Sequence, residues 1–289
     1  MISNYEYQYM QTLMNTYKNG VEEFNERTGE KTKHTPGVIF KVDLSKEFPM
    51  LKSKRVMWKS AIEEILWIMQ KGSNNINDLR PHIWDKWADK DGSIGKAYGY
   101  QISKYQQVRY VLDTLKNDPS SRRCVIDLWN YGDKDEMNLV PCCYTSVWNI
   151  IDGKLNCMLS QRSGDAPVGV VFNTIQYSAL LMMFAKHLGV ECGILTHCIA
   201  DFHVYESQYA DLDKQINQYG HLLSYNEMIR DTEAKPFEGY THEDMIAVYD
   251  CEPKLEFKPE NTDFWSFDIK DFELKNYKSM PKIDYNVVA

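Results

Sequence analysis

Apolar side chains recur at helical and strand periods along much of the chain. Between residues 54 and 70, Met57, Trp58, Ala61, Ile62, Ile65, Leu66 and Met69 fall at the three- and four-residue steps of an amphipathic helix, and Gly72 supplies a stop. Residues 5–26 and 107–116 read as further helices, the second ended by Asn117-Asp118-Pro119-Ser120-Ser121. Residues 173–187 are apolar nearly all round, the pattern of a buried helix, with Gly189 closing it. Strands are expected at 37–42, 123–129, 144–151 and 155–161, and Asp152-Gly153 between the last two is a hairpin turn signal. The elements lack a regular βαβ rhythm, so the pattern predicts an α+β fold. Proline and glycine sit in short scattered turns, with no repeat, low-complexity tract or linker, so residues 1–289 are expected to form a single domain.

Composition narrows the function. With 43% hydrophobic residues the chain can bury a large core, and its net charge of −8 and pI near 5.4 argue against a general DNA, RNA or membrane-surface binder. An anionic small molecule would need a local cluster of arginines. The densest apolar run, near 177–184, falls short of the ~20 residues that span a bilayer. The start, Met1-Ile2-Ser3-Asn4-Tyr5-Glu6, lacks the basic-then-apolar pattern of a signal peptide, so a cytoplasmic protein is expected. Seven cysteines, an odd number without a CxxC pair, predict free thiols. Cys192, His197 and Cys198 lie close in sequence but have no second pair to complete a zinc site, so no metal is expected.

Several reactive residues interrupt apolar segments, while Gly-rich phosphate loops, GxSxG and HExxH are absent. Pro141-Cys142-Cys143 precedes a strand, where alternation lets only one of the two thiols face a given pocket. A nucleophile there needs a neighbouring cation; otherwise either thiol is a small core residue. In Gln161-Arg162-Ser163-Gly164-Asp165 a guanidinium and a hydroxyl at a strand end suit a phosphate, or equally a surface ion pair. Ser121-Arg122-Arg123 is a solvated basic pair, or charge delivered across a subunit interface. Glu64 lies beside the apolar face of its helix, so it is paired, edge-exposed or held for function with a raised pKa. Asn173 opens its helix, where it is an N-cap or a pocket residue. Asp201, His203 and Tyr205 share one strand face, as expected of a polar pocket.

In their order along the chain these residues resemble the folate-dependent thymidylate synthase family. The resemblance takes in Glu26-Arg27-Thr28-Gly29, Phe48-Pro49 with Lys54-Arg55, Glu64-Ile65-Leu66-Trp67 and Ile83-Trp84-Asp85-Lys86-Trp87-Ala88-Asp89. It continues through Tyr98-Gly99, Asp118-Pro119-Ser120-Ser121-Arg122-Arg123, Leu139-Val140-Pro141-Cys142 and Gln161-Arg162-Ser163-Gly164-Asp165. Phe172-Asn173, His203-Val204-Tyr205 and Asp271-Phe272-Glu273-Leu274-Lys275-Asn276-Tyr277 complete a match that runs almost end to end.

The resemblance implies a large mixed sheet packed by helices, with one sheet face forming a homodimer interface. It also implies reductive methylation of dUMP by 5,10-methylenetetrahydrofolate, without a metal. Cys142 would add to C6 of uracil. Arg27, Arg162 and Ser163 would hold the phosphate, with Gln161 at the nucleotide, and Arg122 and Arg123 would reach the same phosphate from the partner. This positive field would lower the pKa of Cys142. Asn173 would read the uracil edge, its amide donating and accepting at once. His203 and Tyr205 would bind the 3′-hydroxyl. Glu64 would manage protons at O4 through water, and Tyr98 would assist proton loss from C5. Asp165 would bind the pterin, with Trp84, Trp87, Gly169 and Ala289 at the folate.

Four departures from the family stand out: Cys143 for a common His, Val170-Val171 for a Pro-containing pair, Phe202 for a small residue, and a terminal Ala289 for a branched aliphatic residue. The last opens an alternative product, because water in place of hydride gives a hydroxymethyl group on dUMP or, less favoured, dCMP. A non-catalytic nucleotide- or RNA-binding paralogue is the other alternative, set against the presence of the nucleophile, the arginines and the base-reading amide.

Overall fold

Two long strands form the spine of the sheet in the computed structural model, which describes residues 2–228 and 235–288. Strand β2 (Glu30–Asp43) runs antiparallel to β7 (Glu191–Tyr205), with His34 opposite His203 and Phe40 opposite His197. On its other side β7 pairs in parallel with β5 (Lys154–Gln161), which continues antiparallel to β4 (Cys143–Ile151) and then β3 (Val125–Asp127). Strand β1 (Val21–Asn25) closes the β2 edge, and the short β6 (Gly164–Asp165) pairs with the end of β7. This is an α+β fold on one mixed seven-stranded sheet.

Period-two patterning decides the two faces. On β7, Leu195, His197 and Ile199 point into the core, and on β2 Val38, Phe40 and Val42 do the same. Helix α5 (Val171–Leu188) lies over this inner face with Leu180, Leu181, Met183 and Phe184 fully buried. Helix α1 (Asn4–Asn19) adds Tyr5 and Tyr9 against Phe40, and helix α2 (Trp58–Met69) packs along α5. The outer face is different: a registered row runs Val125, Val147, Met158, Thr196, Lys41 across five strands, with Met158 48% and Val125 39% exposed.

Several boundaries differ from the sequence expectation. The helix predicted over 5–26 stops at Asn19. Gly20 turns the chain, because a Cβ there would meet the Thr16 carbonyl at 2.4 Å, and the rest of the segment becomes β1. The 37–42 strand extends to Glu30–Asp43, whereas 123–129 shrinks to three residues. Helix α2 begins only at Trp58. Asn173 does not open its helix: α5 starts at Val171, after one π-helical turn over Ala166–Val170. The hairpin signal holds, with Asp152 and Gly153 both left-handed at φ 51° and 71° between β4 and β5. Helix α4 (Gln107–Asn117) also falls where its periodicity put it.

Helices α3 (Gly99–Tyr105), α6 (Tyr209–Met228) and α7 (His242–Asp250), and the hairpin of β8 (Lys254–Phe257) with β9 (Phe272–Lys275), went unpredicted. They are short or mixed in polarity; α6, for example, buries Gln215 and Gln218 as amides bonded around Ser53. The apolar stretch is longer than its densest part at 177–184. Residues Ala166–Leu188 are long and apolar enough to cross a bilayer, but most of that surface is spent on the sheet and the neighbouring helices.

Phe202 is fully buried and packs edge-on against Phe40 with ring centroids 5.9 Å apart, so its bulk is a core component. Phe202→Ala should lower the unfolding free energy by about 3–5 kcal/mol in urea titration. A loss below about 1 kcal/mol would mean that the Phe40 cluster collapses to fill the gap.

Candidate active site

Cys142 lies immediately before β4, and its loop is held from three sides. The Cys142 backbone N–H donates to the Tyr98 hydroxyl at 3.1 Å, and its carbonyl accepts from the Arg162 N–H at 2.9 Å. The Arg162 guanidinium donates to the carbonyls of Pro141 at 3.0 Å and Val140 at 2.8 Å, and passes 3.9 Å from the Cys142 sulfur. Tyr98 itself sits at φ 46°, in the left-handed half of backbone space, a strained position for a bulky residue.

The thiol stands where two cavities meet. A polar one of about 690 Å³ is walled by Arg27, Arg162, Ser163, Asp201, His203 and Tyr205. A mostly apolar one of about 420 Å³ is walled by Glu64, Trp84, Trp87, Tyr98, Gly169 and Asn173. Cys142, Asp165, Lys86, Trp87, Leu139 and Val288 border both. Cys143 also borders the apolar cavity although it is almost wholly buried. Strand alternation therefore does not keep one of the two thiols out of the cleft. The strand begins only at Cys143, and its register with β5 shifts between Cys143 and Thr145.

Burial dominates the electrostatics. It raises the Glu64 carboxyl from an ordinary 4.5 to about 7, against the hydrogen bond at 2.9 Å from the Trp84 indole and the nearby Gln176 amide. It raises Asp165 to about 6, opposed by His203, Gln208 and Lys54, and lowers the Lys54 ammonium to about 7. Cys142 was expected to be a low-pKa thiol. Instead, burial pushes it up more strongly than Arg162 and Arg27 pull it down. Within one chain, two guanidinium groups are not enough.

Asn173 points its amide into the cleft from the first turn of α5. Its Oδ1 accepts from Gln161 Nε2 at 3.1 Å, and its Nδ2 donates to Gln176 Oε1 at 2.9 Å. Gln161, expected at the nucleotide, lies behind this wall: it is 2% exposed and bonds Ser163 O, Asn173 and His197. His197 is fully buried, and burial depresses its pKa to about 3, which keeps it neutral. His203 donates within its own strand toward Asp201, 3.2 Å from the carbonyl, and stacks edge-on against Tyr205.

The tail closes one side. Lys86 donates to the Val287 carbonyl at 2.8 Å, and Gln208 donates to both Asp165 oxygens and to the Asn286 carbonyl, each at 3.1 Å. Ala289 lies outside the described residues. Arg122 and Arg123 are exposed at the approach to β3 and border neither cavity. Sequence reasoning missed His34, Lys86, Gln176 and Gln208. His34 becomes a wall residue only through its register opposite His203, which no local pattern reveals.

One group among the described residues has the composition of a metal site. His34, Asp201 and His203 bring ligand atoms within 4.8 Å of one another. Asp201 accepts from His34 at 2.7 Å and faces His203 at 3.6 Å, so hydrogen bonding accounts for the grouping.

Comparison with known proteins gives a consistent picture. The profile of a family described as thymidylate synthase matches residues 7–289. The chain is 37% identical to a thymidylate synthase of Clostridium beijerinckii, with 99% of both chains aligned. It is 36% identical to a thymidylate synthase of Bacillus phage phi3T over the whole length of each. Among solved structures, the thermostable thymidylate synthase A of Bacillus subtilis superposes with a TM-score of 0.80 at 35% identity, covering 98% of this chain and 99% of that one.

Glu64 carries a pH prediction. Its folded pKa of about 7 lies above the ordinary 4.5, so its contribution to stability is complete below 4.5 and is lost as pH rises through 7. Glu64→Gln abolishes this titration. Between pH 5 and 8 the variant should lose less unfolding free energy than the parent, by at most about 3 kcal/mol. Parallel urea-stability curves for the two proteins would rule out a buried, proton-holding Glu64.

Proposed function

The chain belongs to the thymidylate synthase family, and from that premise we propose that it methylates C5 of dUMP through covalent catalysis by Cys142, with 5,10-methylenetetrahydrofolate as co-substrate. The observation that carries the residue assignment is the position of Cys142 at the meeting point of a cationic, polar cavity and an aromatic, apolar one. A nucleotide suits the first and a pterin the second. The one domain of residues 1–289 supplies both halves.

In the polar cavity, Arg27, Arg162 and Ser163 hold the phosphate, while His203 and Tyr205 take the 3′-hydroxyl. This remote binding energy sets C6 over the sulfur. The Cys142 thiolate bonds to C6 and pushes the electron pair of the C5–C6 double bond toward O4. Glu64, with a pKa near neutrality, holds a proton for O4 through water. C5 then bonds to the one-carbon unit. Tyr98 helps remove the C5 proton, and the electrons left at C5 break the bond between the one-carbon unit and the co-substrate nitrogen, which departs as tetrahydrofolate and leaves a methylene on C5.

Trp84, Trp87 and Gly169 form the walls that a pterin fits, and Asp165 supplies the polar contact. The co-substrate supplies the carbon and then, as tetrahydrofolate, a hydride to the C5 methylene. The electrons so delivered re-form the C5–C6 double bond, expel the Cys142 thiolate, and leave a methyl group and dihydrofolate. Hydride transfer requires water to be shut out. The docked tail, with Val287 and Val288 at the cavity walls, supports methyl over hydroxymethyl as the product.

A homodimer through the outer sheet face fits the exposed apolar row across that face. In this reading Arg122 and Arg123 enter the partner's phosphate site and supply the two cations that the buried Cys142 thiol lacks. Seven unpaired cysteines support a reducing compartment, and the cytoplasm is the proposed location.

Purified protein with dUMP and methylenetetrahydrofolate should form dTMP, identified by mass, in step with dihydrofolate followed by absorbance. A hydroxymethyl product without dihydrofolate would overturn the hydride step, and no turnover would overturn the reaction. Cys142→Ser should cut kcat by more than about a thousandfold. Light scattering should give about twice the chain mass of 33.8 kDa. A refolded mixture of inactive Cys142→Ser and inactive Arg122→Ala/Arg123→Ala chains should regain activity, because one site of each mixed dimer is then complete. Failure to regain it would sink the shared site.

A further inference from the structure

Three side-chain amides stand in line along the floor of the cleft, and one backbone carbonyl sets the direction of all three. The Ser163 carbonyl can only accept, so the Gln161 amide turns its NH₂ toward it, at 2.8 Å. The same Nε2 then donates to Asn173, at 3.1 Å, which makes the facing atom of Asn173 its oxygen. The Asn173 NH₂ is thereby turned to Gln176, whose Oε1 accepts at 2.9 Å. His197, neutral through burial, bonds Gln161 Oε1 at 2.6 Å and holds the first amide from behind.

The line ends at the Glu64 carboxyl. Gln176 is 2% exposed and borders the apolar cavity. Its Nε2 is buried without a well-formed hydrogen bond, although the amide interacts with the Glu64 carboxyl and helps to hold its pKa down. It lies near the Glu64 carboxyl, between the amide that faces the pyrimidine edge and the acid that serves O4. A buried N–H whose hydrogen bond is poorly formed is costly, and a ligand oxygen or a bound water that completes it recovers that cost.

We propose that Gln176 is a specificity-determining residue of the pyrimidine site: its oxygen locks Asn173 in the uracil-reading orientation, and its Nε2 donates to the pyrimidine O4 or to a water bound there. This rests on the reading of Asn173 and Glu64 given above. Asn173 alone is ambiguous, because a half-turn of its amide swaps donor and acceptor and would match the N3 and amino group of cytosine. With Gln176 in place that half-turn sets NH₂ against the Gln161 NH₂ and oxygen against the Gln176 oxygen. A cytosine amino group would also meet the Gln176 NH₂ as donor against donor. Discrimination is therefore built from one carbonyl outward.

The test compares kcat/KM for dUMP and dCMP in the wild type, Gln176→Met and Gln176→Glu. The methionine variant removes both roles: dUMP efficiency should fall about tenfold or more, and the preference for dUMP over dCMP should narrow by a similar factor. The glutamate variant keeps an acceptor for Asn173 but loses the donor. It should hold most of the base preference while KM for dUMP rises and the pH profile attributed to Glu64 shifts upward. A folded methionine variant with unchanged preference, within about twofold of wild type, overturns the proposal.

If neither variant folds, the crystal structure of the wild type with dUMP decides. Nε2 of Gln176 within about 3.5 Å of O4 or of its bound water supports the role, and a reversed Asn173 amide or a Gln176 turned away overturns it. Wild type that fails to turn over dUMP would sink the reaction itself, an outcome distinct from normal turnover with an indifferent Gln176.

Discussion

The parallel pairing of β5 with β7 is the constraint on which the site depends. Two parallel neighbours cannot be joined by a tight turn, so the chain must leave the end of β5, cross one face of the sheet and return to the start of β7. Helix α5 makes that crossing, and its apolar surface is consumed in doing so. Three sets of polar residues converge as a result. Gln161, Arg162 and Ser163 leave the carboxyl end of β5, Asn173 sits in the first turn of α5, and Asp201, His203 and Tyr205 end β7. Binding at the carboxyl ends of parallel strands is a general property of crossover geometry. Here the surrounding antiparallel strands add Cys142 on one side and His34 on the other.

Placing the chemistry beside a packed core has an electrostatic cost, and the groups divide according to how they meet it. Carboxyls and thiols are driven toward their neutral forms: Glu64 and Asp165 titrate near neutrality, and the Cys142 thiol rises despite its two guanidinium neighbours. For a proton donor this shift is useful. For a nucleophile it is a handicap that further positive charge, or hydrogen bonds to the thiolate, would remove. The same low-dielectric surroundings make directional hydrogen bonds matter, which is why the amides around Asn173 are so fully ordered.

What could be read from sequence followed the range of the underlying interaction. The hairpin at Asp152-Gly153 and helix α4 depend on residues within a few positions of one another and were predicted closely. Glu64 was legible as a carboxylate beside the apolar face, because its neighbours Ile62 and Ile65 fix its side of the helix, but the sequence left edge exposure open and only the fold buries it. The first helix was overextended, since nothing local distinguishes a helical Val-Glu-Glu-Phe from the strand that β2 recruits after Gly20. Cys142, Arg162, Asn173, His203 and Tyr205 came from ordered blocks and do meet at the cleft. Gln161, from the same blocks, is a support behind it. The neighbours that tune the site, His34, Gln176 and Gln208, were silent in the sequence because each acts across strand register, a helix turn or a tail that no short motif encodes.

Gln208 joins two parts of the molecule that the chain keeps far apart. A single amide nitrogen bonds the Asp165 carboxylate and the carbonyl of Asn286, so it cannot follow one acceptor without loosening its hold on the other. The last residues of the chain and the carboxylate at the junction of the two cavities are thus latched by one pin. Any displacement of the tail at Asn286 and any turn of the Asp165 carboxylate therefore pull on the same nitrogen, and neither end of the joint is mechanically independent of the other.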